Sequence, residues 1–201
     1  GVCAVKNKED KKNKNSRREA RNKLLTNEIF IINHENINPE MNYEFINKIS
    51  EDEEYEIWTV KHKITGLLRT LNIIRNIENT KLFNEYDILL KTDHPNIIKV
   101  IEKYTYDNTV GYITEHYEQL FDLLKNKKVV FSEKKSALII YQIMNAINYI
   151  HINKIIHRNL SLENVLVSST DDDIYYIKLS GFKVASFKQQ QMLQKVIGSL
   201  Y

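Results

Sequence analysis

The stretch His157-Arg158-Asn159-Leu160-Ser161-Leu162-Glu163-Asn164-Val165-Leu166 decides how the chain is read. It is a polar loop between two strongly patterned neighbours. Upstream, Leu138, Tyr141, Ile143, Ala146, Ile147 and Ile150 form a broad apolar face, the pattern of a buried helix. Ser132 is its N-cap candidate, and Phe131 before it suits a hydrophobic staple. Downstream, Val165-Leu166-Val167 and Ile174 to Leu179 suit strands, joined by Asp171 to Asp173, which read as a solvated turn.

Further from the loop, the first half is strand-rich. Tyr43 to Ile49 and Ile57 to His62 suit strands, with the acidic Glu51 to Glu56 turning between them. Thr65-Gly66 marks a turn before the apolar Leu67 to Ile74. Lys81 to Leu90 has helical spacing and ends at Asp93-His94-Pro95-Asn96, because a proline disfavours helical geometry in the residue before it. Two more strand-like runs follow, near Ile97 to Tyr106 and Val110 to His116. Leu24 to Ile32 is an apolar patch, and Asn36 to Asn42 a turn-rich link. Strands first and helices later predict a two-lobed α+β protein.

Composition narrows the function. The 201 residues are 42% hydrophobic and 27% charged, as in a globular chain. A single cysteine, Cys3, excludes an internal disulfide and any all-cysteine metal site. The five glycines (Gly1, Gly66, Gly111, Gly181 and Gly198) are too scattered for a glycine-rich phosphate loop. The six histidines show no ligand spacing, and no metal is expected.

The net charge is +3, but nine basic residues between Lys6 and Lys23 face only Glu9, Asp10 and Glu19, so this arm carries +6 and the rest −3. A basic arm on a mildly acidic body excludes a domain-wide nucleic-acid surface and leaves a solvated tail or a contact with an anionic membrane. With an initiator Met removed, Gly1 is a candidate for N-myristoylation and Cys3 for a second acyl chain, although Val5 stands where the motif prefers Ser or Thr.

The quoted loop resembles the catalytic loop of protein kinases, H-R-D-L-K-P-E-N-V-L. Its neighbours fall in the family's order. Glu85 matches the glutamate of the N-lobe helix, Asp93-His94-Pro95-Asn96-Ile97 the segment after it, and Leu71-Asn72 the strand that carries V-A-I-K. Ile177 to Ala185 aligns with the D-F-G region, and Gly198-Ser199-Leu200-Tyr201 resembles a late part of the activation segment. Glu118 to Asp122 is most similar to the calcium- and calmodulin-dependent group, the calcium-dependent kinases in particular. The resemblance implies four segments: 1–23, a basic disordered arm; 24–42, a lead-in; 43–117, an N-lobe with hinge; and 118–201, a partial C-lobe ending in the activation segment. It also implies that the lobe is completed by further sequence or by another chain.

The departures concern the chemistry. Where the family has a phosphate-binding lysine, a catalytic-loop aspartate and a metal-binding aspartate, this chain has Asn72, Asn159 and Gly181. Asn164 is the only retained metal-ligand position, and Ser161 replaces the loop lysine. The three loop glycines fall on Ser50, Asp52 and Tyr55, which places the carboxylates of Glu51 to Glu54 where phosphates would lie. The degenerate nucleotide pocket comprises Ile49, Ile57, Thr70, Asn72, Glu85, Thr114, Glu115, Tyr117 and Leu166. Lys183 is expected to pair with Glu85, whose lysine partner is gone. Val100, Leu89, Phe182 and His157 match the apolar stack that ties kinase lobes together.

These features imply a pseudokinase with no functional catalytic residue and no cofactor, acting through a protein partner. It is expected in the cytoplasm, with its N-terminus able to reach a membrane. The alternative is an unorthodox ATP- and Mg²⁺-dependent serine/threonine kinase of the calcium-dependent group. A third reading makes the basic arm the functional part, binding anionic membrane or RNA.

Overall fold

A computed structural model describes residues 31–75, 83–169 and 175–187. The basic arm, the turn at Asp171 to Asp173 and the segment from Gly198 to Tyr201 lie outside the described residues.

Eleven strands and three α-helices are described. They are β1 (Ile32–Glu35), β2 (Tyr43–Glu51), β3 (Tyr55–His62), β4 (Leu68–Arg75), α1 (Phe83–Leu90), β5 (Val100–Tyr106) and β6 (Thr109–Glu115), followed by β7 (Glu118–Gln119), α2 (Leu120–Lys125), α3 (Glu133–Ile152), β8 (Ile155–Ile156), β9 (Val165–Ser169), β10 (Tyr175–Leu179) and β11 (Ser186–Phe187). The first lobe is a six-stranded sheet of order β1-β5-β6-β4-β3-β2, and the second combines helices with sheets β10-β9-β7 and β11-β8. This is the α+β, two-lobed kinase-like architecture expected from the sequence.

Strand alternation sorts the large sheet into two faces. Val60, Leu71, Ile73, Tyr104 and Ile113 pack with Tyr43 on the outer face. Ile74 and Tyr112 turn inward and join α1, Leu179 and Phe182 in the core that runs through both lobes. Thr65-Gly66 makes the expected turn, with Gly66 at φ +70°, where a side chain would be strained.

Strand β1 is an addition to the sequence reading. It pairs in parallel with β5 over Ile32 to Glu35, inside the segment read as lead-in. Its side chains are exposed apart from the half-buried His34, so no period-two pattern marks it. Backbone bonds hold it, together with His34, which stacks on Tyr104 at 4.3 Å and reaches Glu102 at 3.1 Å.

Helix α3 starts where its cap predicts, with Ser132 Oγ accepting the Lys135 N–H at 3.4 Å. Phe131 is not a staple: the residue at the staple's helical position is the polar Ser136, and Phe131 instead packs edge-on against Tyr175. Only part of the apolar face is covered. Ile139, Ala146 and Ile150 are buried, whereas Leu138 and Tyr141 are 54% and 64% exposed. A twenty-residue helix packed along one narrow sheet can bury only one stripe. Gln142 fixes that contact, because its Oε1 accepts from Ile177 N and Asn96 Nδ2 while its Nε2 donates to Tyr175 O.

Candidate functional site

Between the lobes lies a cleft of about 650 Å³. Of the sequence-predicted pocket, Ile49, Ile57, Thr70, Asn72, Glu85, Thr114, Tyr117 and Leu166 line it, together with Asn159, Asn164 and Gly181. The Glu115 side chain does not line it. Its carboxylate meets Lys178, with Nζ 3.2 Å from Oε2, and takes the Tyr117 hydroxyl at 3.3 Å.

The floor is a buried network of tyrosines around Glu85. Tyr55 sits at the third loop-glycine position, and its ring enters the core at 6% exposure. The Tyr55 hydroxyl donates to Asn72 Oδ1 at 2.8 Å and lies 2.8 Å from the Tyr112 hydroxyl. Both hydroxyls are 3.2 Å from Glu85 Oε2, and Oε1 accepts the Phe182 N–H at 2.8 Å. Glu85 is thus fully hydrogen-bonded without an adjacent cation. Burial raises its pKa, and the donors offset this only in part. Burial likewise pushes Tyr55 and Tyr112 well above the ordinary phenol value.

Lys183 does not pair with Glu85. Its Nζ lies 2.5 Å from Asp52 Oδ2 and 4.8 Å from the centre of the Tyr55 ring. Tyr55 reaches Glu85 with its hydroxyl and carries the ammonium on its ring, so the cation stays at the surface. The acidic turn does not gather its carboxylates over the cleft either. Glu51 pairs outward with Lys48, and Asp52 with Lys183. Glu56, read as part of the turn, is a buried strand residue bound by Trp58 Nε1 and Arg75.

Around the loop that opened the sequence reading, His157, Arg158 and Asn164 bond to the backbone of neighbouring segments. Arg158 adopts the left-handed region at φ 66° and is held there by Nε donating to Val184 O at 2.6 Å. His157 donates from Nε2 to Ser180 O at 2.8 Å and accepts the Asn159 N–H at Nδ1. It packs on Phe182 at 4.6 Å between ring centres. Both nitrogens are matched by a neutral imidazole, and burial lowers the His157 pKa. The Asn164 amide donates to Asn159 O at 2.9 Å and fills the space beside Gly181. A Cβ at Gly181, where φ is +77°, would stand 2.2 Å from Asn164 Oδ1. The stack residues Val100, Leu89, Phe182 and His157 are all at most 3% exposed.

Sequence reasoning missed the weight of Tyr55, and missed Tyr112 and His116 altogether. Tyr112 is the cross-strand partner of Asn72, a signal available once the strands are paired. His116 Nδ1 lies 3.0 Å from Thr70 Oγ1 at the other end of the cleft, and burial lowers its pKa.

Comparison with known proteins places this geometry. The family model described as "Protein kinase domain" matches residues 47–201. Over 120 residues the chain is 37% identical to the meiosis-specific serine/threonine-protein kinase mek1 of Schizosaccharomyces pombe, covering 58% of this chain and 27% of that protein. Over 155 residues it is 29% identical to calcium-dependent protein kinase 4 of Plasmodium berghei, covering 73% of this chain and 29% of that protein. The matched stretches therefore span under a third of these relatives. With most of its length matched, and the two lobes and intervening cleft in place, the chain belongs to the protein kinase domain family.

Proposed function

We propose that this domain is a pseudokinase, a kinase scaffold that no longer transfers phosphate and works by binding a protein partner. The observation that carries the reading is the Asn164 amide beside Gly181. The one retained metal-ligand side chain donates from Nδ2 to Asn159 O and faces Gly181 with its Oδ1, where the neighbouring residue supplies no carboxylate. Mg²⁺ favours carboxylates together with phosphate oxygens, and one neutral amide does not supply them. Asn72 cannot neutralise phosphate, Asn159 is no base at neutral pH, and Tyr55 takes the room that a glycine would leave. The lobe-joining stack is nevertheless packed, as expected where the scaffold is maintained for binding.

The alternative, an unorthodox serine/threonine kinase of the calcium-dependent group, draws on the names of the relatives. Thermal-shift titration with ATP, with and without Mg²⁺, separates the two. Saturation at 100 times a dissociation constant would add ~2.7 kcal/mol of stability. We expect no shift. A Mg²⁺-dependent shift, with phosphate transferred to a generic acceptor and lost on Asn159→Ala, would overturn the reading.

A further inference from the structure

The Asp52–Lys183 contact joins residues 131 positions apart, one on each lobe. Both ends are anchored. Asp52 Oδ1 accepts the Glu54 N–H at 3.1 Å, and its own N–H donates to Tyr55 O at 2.8 Å, so the carboxylate is fixed to the β2–β3 turn. Lys183 lies on the short Phe182–Val184 turn, which is bound through Phe182 N to Glu85 and through Val184 O to Arg158. The ammonium also rests on the Tyr55 ring, adding a cation–π contact. Lys183 is the only lysine or arginine lining the cleft among the described residues, and Asp52 holds it.

We propose that Asp52, Tyr55 and Lys183 form an inter-lobe clasp that holds the β2–β3 turn down over one end of the cleft. The device stands apart from the question of phosphate transfer, since it needs only the two lobes and the ion pair. The pairing side chains are 45% and 52% exposed, so salt and competing anions reach them. That exposure makes the clasp releasable. With the pair intact the turn is tethered to the Phe182–Val184 turn, and with the pair screened that tether is lost.

The test uses the full chain and two readouts by mass spectrometry: acylation of the Lys183 amine, and hydrogen exchange of the backbone amides at 52–55. At low salt, Asp52→Asn should raise both rates about two- to five-fold, the range of an exposed ion pair. Molar NaCl should raise them equally in the wild type and leave Asp52→Asn unchanged. Lys183→Gln should free the turn to the same extent, and Lys183→Arg, which keeps the charge, should retain its protection. Denaturant midpoints equal to wild type would exclude general unfolding as the cause. Rates in Asp52→Asn and Lys183→Gln that match wild type at both salt levels would overturn the proposal.

Discussion

Two glutamates, one on each face of the large sheet, are held by pairs of tyrosines. On the outer face Glu102 accepts from the Tyr43 and Tyr104 hydroxyls, each at 2.7 Å, with His34 Nε2 at 3.1 Å. On the inner face Glu85 accepts from the Tyr112 hydroxyl and the Phe182 N–H, with the Tyr55 hydroxyl, which donates to Asn72, 3.2 Å away. The residue types match, but the consequences differ. Glu102 lies near the rim with an imidazole beside it, and its network pins an added strand. Glu85 is shut in the inter-lobe core with no cation in contact, and burial shifts it toward its neutral form. Access to water, more than the identity of the donors, separates the two carboxylates.

The harshest way to break the comparison is Phe182→Ala. Phe182 is fully buried against His157, and its loss should cost about 3–5 kcal/mol in denaturant unfolding while the Glu102 side stays intact. Next comes Glu85→Ala, which leaves the Tyr112 hydroxyl and the Phe182 N–H without their acceptor and should cost about 2–4 kcal/mol. Glu85→Gln should be far milder, since a neutral amide can accept from Phe182 N and donate to a tyrosine hydroxyl.

The same variant sharpens the pH dependence. A raised folded pKa means that the Glu85 contribution is whole below the ordinary value of 4.5 and is lost as pH rises through the folded value. Glu85→Gln should therefore gain on wild type as pH climbs from 4.5 toward neutrality. His157 acts in the opposite sense: its lowered pKa gives stability that is present above 6.5 and lost as pH falls. Denaturant midpoints across this range, with and without Glu85→Gln, separate the two.

Gly181→Asp, which puts the family's carboxylate back, should cost about 1–3 kcal/mol through the Asn164 clash and the positive φ, and should not create Mg²⁺-dependent stabilisation. The smallest effect is expected for His34→Ala. Loss of its largely buried hydrogen bond to Glu102 should cost about 0.5–1.5 kcal/mol, seen as faster hydrogen exchange at residues 32–35 while the Glu85 side is unchanged.

Much of this molecule is readable from residue order. Tyr43 to Ile49, Ile57 to His62, the Ser132 cap and the Thr65-Gly66 turn each follow a local rule, and the structure bears them out within a few residues. The substituted positions Asn72, Asn159 and Gly181 follow from the resemblance to separate kinase motifs, and all three line the cleft. Strand β1 was missed because an exposed edge strand held by backbone bonds carries no hydrophobic period.

The chain alone therefore determined which elements form and which charges are missing, since both depend on residue identity and near neighbours. Who replaces a missing charge was decided only in three dimensions. Tyr55, Tyr112 and Phe182 come from three distant parts of the chain to surround Glu85, and Lys183 crosses to Asp52 instead. A buried carboxylate takes whichever donors packing brings within about 3 Å. Packing is a property of the whole fold, and spacing along the chain does not contain it.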